Sequence, residues 1–160
     1  MALDLIAELE HLLDGLAAGG VAHALCGGLA LAVHGHPRAT MDIDVLVQTD
    51  ALAPALDVAR RCGFDIAAKK MVFGAATATP REIHRVSKLD PATGDLLSLD
   101  LLVVGPGLDE VWARRTTASW RERQIAIVSR DGLVAMKRLA GRAQDLADIA
   151  ALEGTDDQGT

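Results

Sequence analysis

Asp42 and Asp44, two residues apart in MDIDVLV, are the side chains whose type and spacing most directly suggest chemistry. On a strand, residues two apart leave the same face, so both carboxylates point one way while Ile43 points to the core. Like charges side by side repel, and a strand with a purely structural role gains nothing from them. A divalent cation resolves the conflict, and hard carboxylate oxygens are what Mg²⁺ takes. Read alone, the pair is better explained as a solvent-facing strand edge.

Two further features accompany it. Gly27-Gly28 follows a predicted strand and opens a predicted helix, which aims backbone N–H groups and the positive end of the helix dipole into the turn. Glycine there permits close approach of a phosphate; the plainer alternative is an ordinary strand-to-helix turn. The dinucleotide pattern G-x-G-x-x-G and the Walker pattern G-x-x-x-x-G-K-[ST] are both absent. Asp100 is the only acid in LLSLDLLVV, where a charge within an apolar strand demands a reason. It either alternates outward from a half-solvated sheet or meets Asp42 and Asp44 from a neighbouring strand. Three carboxylates so grouped would make a two-metal phosphoryl-transfer site.

The elements that must position these residues follow from periodicity and punctuation. Ile6, Leu9, Leu13 and Leu16 predict a helix over 4–18, stopped by Gly19-Gly20. Residues 21–26 read as a strand, 29–35 as a helix and 41–47 as a strand. Asp50 is expected to cap a helix through Arg61, with Gly63 as its stop. Residues 64–80 do not choose between a short strand and a loop. The runs 82–89 and 95–104 flank DPATG, whose Pro91 and Gly94 suit a hairpin turn. A short helix over 109–115, a strand over 124–128, a helix capped by Asp131 through Leu139 and a last helix to about Leu152 complete the order. The expectation is an α/β fold with a mixed β-sheet flanked by helices, one domain over 1–153 and a disordered tail over 154–160.

Composition narrows the partners. In 160 residues with a net charge of −6, no global basic field exists to hold a nucleic-acid backbone. Arg114, Arg115, Arg121 and Arg123 form a local basic cluster, read as the solvation of one edge. Only two Trp, two Phe and no Tyr are present, too few for rows of stacked bases. No run approaches the roughly 20 apolar residues of a membrane helix, and the acidic start MALDLIAELE is not a secretory signal. The two cysteines, Cys26 and Cys62, are expected as buried free thiols, and a cytoplasmic location follows. His23, Cys26, His34 and His36 lack the tight spacing of zinc ligands.

Gly27-Gly28, thirteen residues, then DID, then a later Asp in an apolar strand resembles the nucleotidyltransferase fold shared with DNA polymerase β. GGLALAVHGHPRATMDIDVLV and LVAMKRLAGRAQDLADIAAL together are similar to the small bacterial nucleotidyltransferases of the AbiEii-like group. The resemblance spans about residues 21–152 and implies roles residue by residue. Asp42 and Asp44 would bind metal, with Asp100 as the third acid that helps activate an acceptor hydroxyl. Gly27 and Gly28 would cradle phosphates, and Lys137 would meet the triphosphate, although an exposed lysine on an amphipathic helix is the ordinary alternative. Arg142, Asp145 and Asp148 match the group's R-x-K-D-x-x-D ending, with Gln144 in place of its Lys. Many members carry Ser where this chain has Gly28, so phosphate contacts here would come from backbone. Arg38 would reach a phosphate or pair with Asp145 or Asp148, and Thr40 would contact the nucleotide or only shape the strand entrance.

The resemblance implies Mg²⁺-dependent transfer of NMP from an NTP donor to a hydroxyl acceptor with release of pyrophosphate. Two Mg²⁺ ions are expected, with Mn²⁺ as a substitute. The acceptor is open: RNA such as a tRNA 3′ end, a protein hydroxyl, or a small molecule such as an aminoglycoside. Some members are toxin–antitoxin components, which implies a cognate antitoxin or toxin partner. The alternative is a non-catalytic nucleotide-sensing or protein-interaction module on the same fold.

Overall fold

The structure, a computed structural model, describes residues 3–158. Helix α1 (Leu5–Ala18) begins where the Asp4 carboxylate accepts hydrogen bonds from the Ile6 and Ala7 N–H groups, and it buries Leu9, Leu12, Leu13 and Leu16. Strand β1 (Ala24–Cys26) then runs straight into α2 (Gly27–Val33). The helix starts at the glycine pair itself rather than at Leu29, because Gly27 makes the turn with φ +70, a conformation that favours glycine.

Strand β2 (Asp42–Val47) leads through a 3-10 turn, Thr49–Ala51, into α3 (Leu52–Arg61). Asp50 is therefore not the expected N-cap. It lies within the 3-10 turn, and no side chain caps α3. The undecided stretch 64–80 contains two short strands, β3 (Ile66–Ala67) and β4 (Met71–Phe73). Both pair antiparallel with the same edge of the long strand β5 (Arg81–Leu89), at opposite ends of it.

A turn over 90–95 joins β5 to β6 (Leu96–Val103). In that turn Gly94 takes φ +79, and the Asp90 carboxylate accepts from the Ala92 and Leu3 N–H groups. Helix α4 (Asp109–Ala113) precedes a hairpin of β7 (Thr116–Trp120) and β8 (Arg123–Ile127). Strand β7 has no counterpart in the sequence reading. Its turn places Arg121 and Glu122 at φ 49 and 65, so the Asn-Gly signal of such hairpins is missing.

The expected basic cluster proves to be fully engaged. Arg114 pairs with Glu110, Arg121 and Arg123 pair with Glu10, and Arg115 stacks 3.9 Å from the Trp112 ring centroid.

Helix α5 (Arg130–Ala140) is capped by Ser129, whose hydroxyl accepts from the Gly132 N–H, and not by Asp131, which is the second residue of the helix. Gly141 ends it at φ 65, and α6 (Ala143–Gln158) continues past the expected end near Leu152. Of the tail expected to be disordered over 154–160, only 159–160 lie outside the described residues.

The eight strands form one mixed sheet in the order β3-β5-β6-β2-β1-β8-β7, with β4 beside β5. Parallel pairs, β2 with β6 and β1 with β8, alternate with antiparallel ones, as the expected mixed sheet requires. The core is contiguous. Ile43, Val45, Leu99 and Leu101 from the central strands meet Leu9, Leu12, Leu16, Leu31 and Ala59 from the helices. Both cysteines are buried and free.

Candidate functional site

The parallel pairing of β2 with β6 sets Asp44 directly beside Asp100, and Asp42 beside Ser98. Partnered residues share a face, so Asp42, Asp44 and Asp100 form one carboxylate strip. Asp42 is exposed, Asp44 is half-buried and Asp100 is buried. Among the described residues neither Asp42 nor Asp44 has an ion pair or a side-chain hydrogen bond.

Asp44 is held against the strand-to-helix turn. A Cβ on Gly27 would lie 2.1 Å from Asp44 Oδ2, so the carboxylate occupies the space that any side chain there would need. Burial, then the charges of Asp100 and Asp42, push its pKa up to about 7, against the opposing pull of Lys137 and Arg142. Gly28 is confined less severely: a Cβ there would lie 2.9 Å from Thr40 Oγ1. Cys26 ends β1 beside Asp44, and burial first, then that carboxylate, push its thiol well up. It stays a neutral packing group.

A cage of cations faces the strip from α5, the link between α5 and α6, and the segment before β2. Asp148 accepts two hydrogen bonds from Arg38, from Nε and Nη2 at 3.0 Å each, one from Lys137 Nζ at 2.7 Å and one from Gln144 at 3.1 Å. Arg142 Nε donates to Asp145 at 2.7 Å, and Lys137 lies 3.9 Å from the same carboxylate. Burial alone would raise the Asp148 carboxyl, yet the hydrogen bonds from Arg38, Lys137 and Gln144 outweigh it and hold it below the usual range. Three cations thus share two buried carboxylates, which leaves one positive charge in excess at the cavity wall. Of the two roles open to Arg38, the ion pair with Asp148 is the one its geometry makes. Lys137 is buried rather than the exposed lysine of an ordinary amphipathic helix.

Strip and cage enclose a cavity of about 620 Å³. Gly27, Gly28, Arg38, Thr40, Asp42, Asp44, Asp100 and Lys137, all singled out from the sequence, line it together. Nothing in the sequence pattern marks the remaining wall. Met71 and Phe73 of β4, and Arg81, Ile83 and Arg85 of β5, close one side, and Leu108, Leu133 and Met136 close another. Arg85 is the most consequential of these. It lies opposite Asp100 in the β5/β6 register, and its Nε and Nη2 donate to both carboxylate oxygens at 2.8 and 3.0 Å.

The donor set suits a hard cation shared with a ligand. Mg²⁺ in nucleotide sites is commonly held by one or two carboxylates plus substrate phosphates, and Asp42 and Asp44 are two uncompensated carboxylates on one face. Asp100 differs because Arg85 already neutralises it. Among the described residues no group of three or more His, Cys, Asp or Glu is gathered to enclose a metal ion. The histidines are engaged elsewhere, with His23 Nδ1 donating to the Val21 carbonyl at 2.8 Å and His34 Nε2 to that of Val128 at 3.0 Å.

No family model matches the chain, and no curated protein matches it by sequence. Solved structures do match it in fold. A candidate nucleotidyltransferase from Thermotoga maritima (TM1012) superposes with a TM-score of 0.60 at 14% identity, over 94% of this chain and 92% of its own. ANT(2″)-Ia, solved in complex with adenylyl-2″-tobramycin, superposes at 0.58 and 11% identity, over 94% and 88% of the two chains. JHP933 from Helicobacter pylori gives 0.53 at 15% identity, over 94% and 67%. At these identities the likeness is one of fold: this chain has the mixed sheet flanked by helices seen in nucleotidyltransferases.

Proposed function

We propose that the chain is a divalent-cation-dependent nucleotidyltransferase that moves an NMP unit from an NTP to a hydroxyl acceptor. The observation that carries this reading is the convergence in one cavity of a carboxylate strip on β2 and β6 with the cations Arg38, Lys137 and Arg142, gathered around Asp145 and Asp148 of α6. Arg38, Lys137 and Arg142 would bind the triphosphate, and the glycine turn would let its backbone approach the phosphates closely. In the transfer, the acceptor oxygen forms a bond to the α-phosphorus while the bond to the bridging oxygen of pyrophosphate breaks. The hydroxyl proton leaves toward the carboxylate strip. Mg²⁺, with Mn²⁺ as a substitute, would be held by Asp42 and Asp44, neutralising triphosphate charge and polarising the reacting oxygens.

The wall formed by Met71, Phe73, Arg81, Ile83 and Arg85 favours an acceptor without positive charge over a polycationic amino-sugar such as the tobramycin on ANT(2″)-Ia. The motif resemblance extends the proposal to the AbiEii-like group, a cognate toxin–antitoxin partner and a cytoplasmic site of action. A second reading, nucleotide binding without turnover, is favoured by one feature only, the neutralisation of Asp100 by Arg85.

The test begins with calorimetric binding of each of the four NTPs, with and without Mg²⁺, to the wild type and to the Asp42→Asn/Asp44→Asn double variant. Binding that needs both Mg²⁺ and the acids is the expected result. α-Labelled nucleotide then reports transfer to RNA, protein or small-molecule acceptors. Mg²⁺-dependent binding with no transfer to any of them would favour the second reading, whereas no binding of any NTP would overturn both.

A further inference from the structure

Arg85 and Asp100 form a bond between neighbouring strands that the proposed transfer does not require. Nε and Nη2 of Arg85 go to the two oxygens of one carboxylate whose side chain is 10% exposed, while the Arg85 side chain is 38% exposed and lines the cavity. The Arg85 main chain is fixed, since its carbonyl accepts from the Ala68 N–H and its strand pairs with β6. Only the side chain can leave. On the same sheet face, Asp42 and Asp44 lack any such partner among the described residues.

A forked guanidinium takes one lone pair on each carboxylate oxygen and sets a full positive charge beside both. A divalent ion on Asp100 would have to sit next to that charge in a half-buried site, where repulsion is poorly screened. We propose that Arg85 is an internal cation that stands in the place of a second divalent ion at Asp100. The free chain therefore binds one ion, at Asp42 and Asp44, and takes a second only when the guanidinium is drawn aside. Arg85 is a positioning residue in this scheme. It acts through Asp100 and keeps that carboxylate of the strip neutralised until an anionic ligand in the cavity offers the guanidinium another partner. The proposal rests on the reading of Asp42 and Asp44 as the metal pair.

The test is a Mn²⁺ titration of the nucleotide-free chain followed by electron paramagnetic resonance, with circular dichroism to verify folding. One ion per chain is expected for the wild type. Arg85→Gln should bind two, with the broadened signal of a spin-coupled pair, and Arg85→Gln/Asp100→Asn should return to one. Arg85→Lys keeps the charge without the fork, so its second ion should bind about tenfold more weakly than in Arg85→Gln. If Arg85→Gln does not fold, a second ion on Arg85→Lys supports the role and a single ion on Arg85→Lys overturns it. Two ions on the wild type, or one on both Arg85→Gln and Arg85→Lys, would overturn the role of Arg85 while leaving the metal pair intact. No Mn²⁺ on any variant would overturn the metal pair as well.

Discussion

Gly27 has no room for a side chain, and its backbone would resist one even in open space. The φ of +70 costs an L-residue about 1–2 kcal/mol, and a Cβ would collide with Asp44 Oδ2 and Cγ at 2.1 and 2.7 Å. Gly27→Ala should therefore destabilise the chain by about 2–4 kcal/mol in urea unfolding and displace the Asp44 carboxylate. Gly35→Ala, at φ +98 with nothing within 4 Å, isolates the backbone share and should cost only about 1 kcal/mol. Equal costs at the two positions would deny the contact. Asp44 carries a second prediction. Its native pKa of about 7 lies above the ordinary carboxylate value, so from about pH 4 to pH 7 the folded chain holds a proton that the unfolded chain has lost. Stability therefore falls as pH rises through that window, and the cost of the charge is complete above it. Asp44→Asn should raise stability at pH 8 by about 1–3 kcal/mol, read as a higher Tm, and change Tm little at pH 4. A loss of Tm at both pH values would contradict this. The acids of the strip were legible as residues because alternation alone put Asp42 and Asp44 on one face. Their crowding with Asp100 is one of two readings the sequence leaves open, because it depends on which strand lies beside β2; the β2/β6 register selects it.

Registers and caps decide what each element contributes. The β5–β6 hairpin pairs Leu89 with Leu96, and counting four residues back along one strand and four forward along the other brings Arg85 to Asp100. The DPATG turn was readable, so this pairing was within reach once the hairpin ends were known to a residue. An uncertainty of one position flips every side chain to the other face and hides it. Helices α5 and α6 pose the opposite difficulty. Their caps and breaker were readable to within a turn, but the ion pairs between them depend on the angle at Gly141 and on Arg38, more than a hundred residues away. Asp148, 4% exposed, holds that cage together. Asp148→Ala would leave Lys137 buried with only Asp145, at 3.9 Å, for compensation. The expected loss is about 3 kcal/mol in urea unfolding, with a several-fold rise in the apparent Kd for NTP because Arg38 and Lys137 lose their anchor. Asp148→Asn keeps the volume and should cost less. If Asp148→Ala left both stability and nucleotide affinity unchanged, the cage would be incidental.

On the scale of the whole molecule, the cavity draws its walls from β1 through α6. No short stretch of sequence contains it, and it exists only when the sheet is closed in the order β5-β6-β2-β1. The fold class was legible because strand and helix signals alternate. The aromatic and guanidinium wall was not, because Met71 and Phe73 sit in a strand of three residues, too short for a period to be read. A site built from so many elements binds ligand only in the folded chain, so binding must appear as stability. At a free NTP concentration 100 times Kd, linkage gives about 2.7 kcal/mol. For a chain of this length that corresponds to a Tm rise of roughly 5–10 °C. The rise should need Mg²⁺ and NTP together. Asp42→Asn/Asp44→Asn should abolish it, because the cation cannot then bridge the strip to the phosphates. A rise with NTP alone that survives the double variant would mean that the cage binds phosphate by itself. The carboxylate strip would then take no part in holding the donor, and the proposed transfer would lose its metal pair.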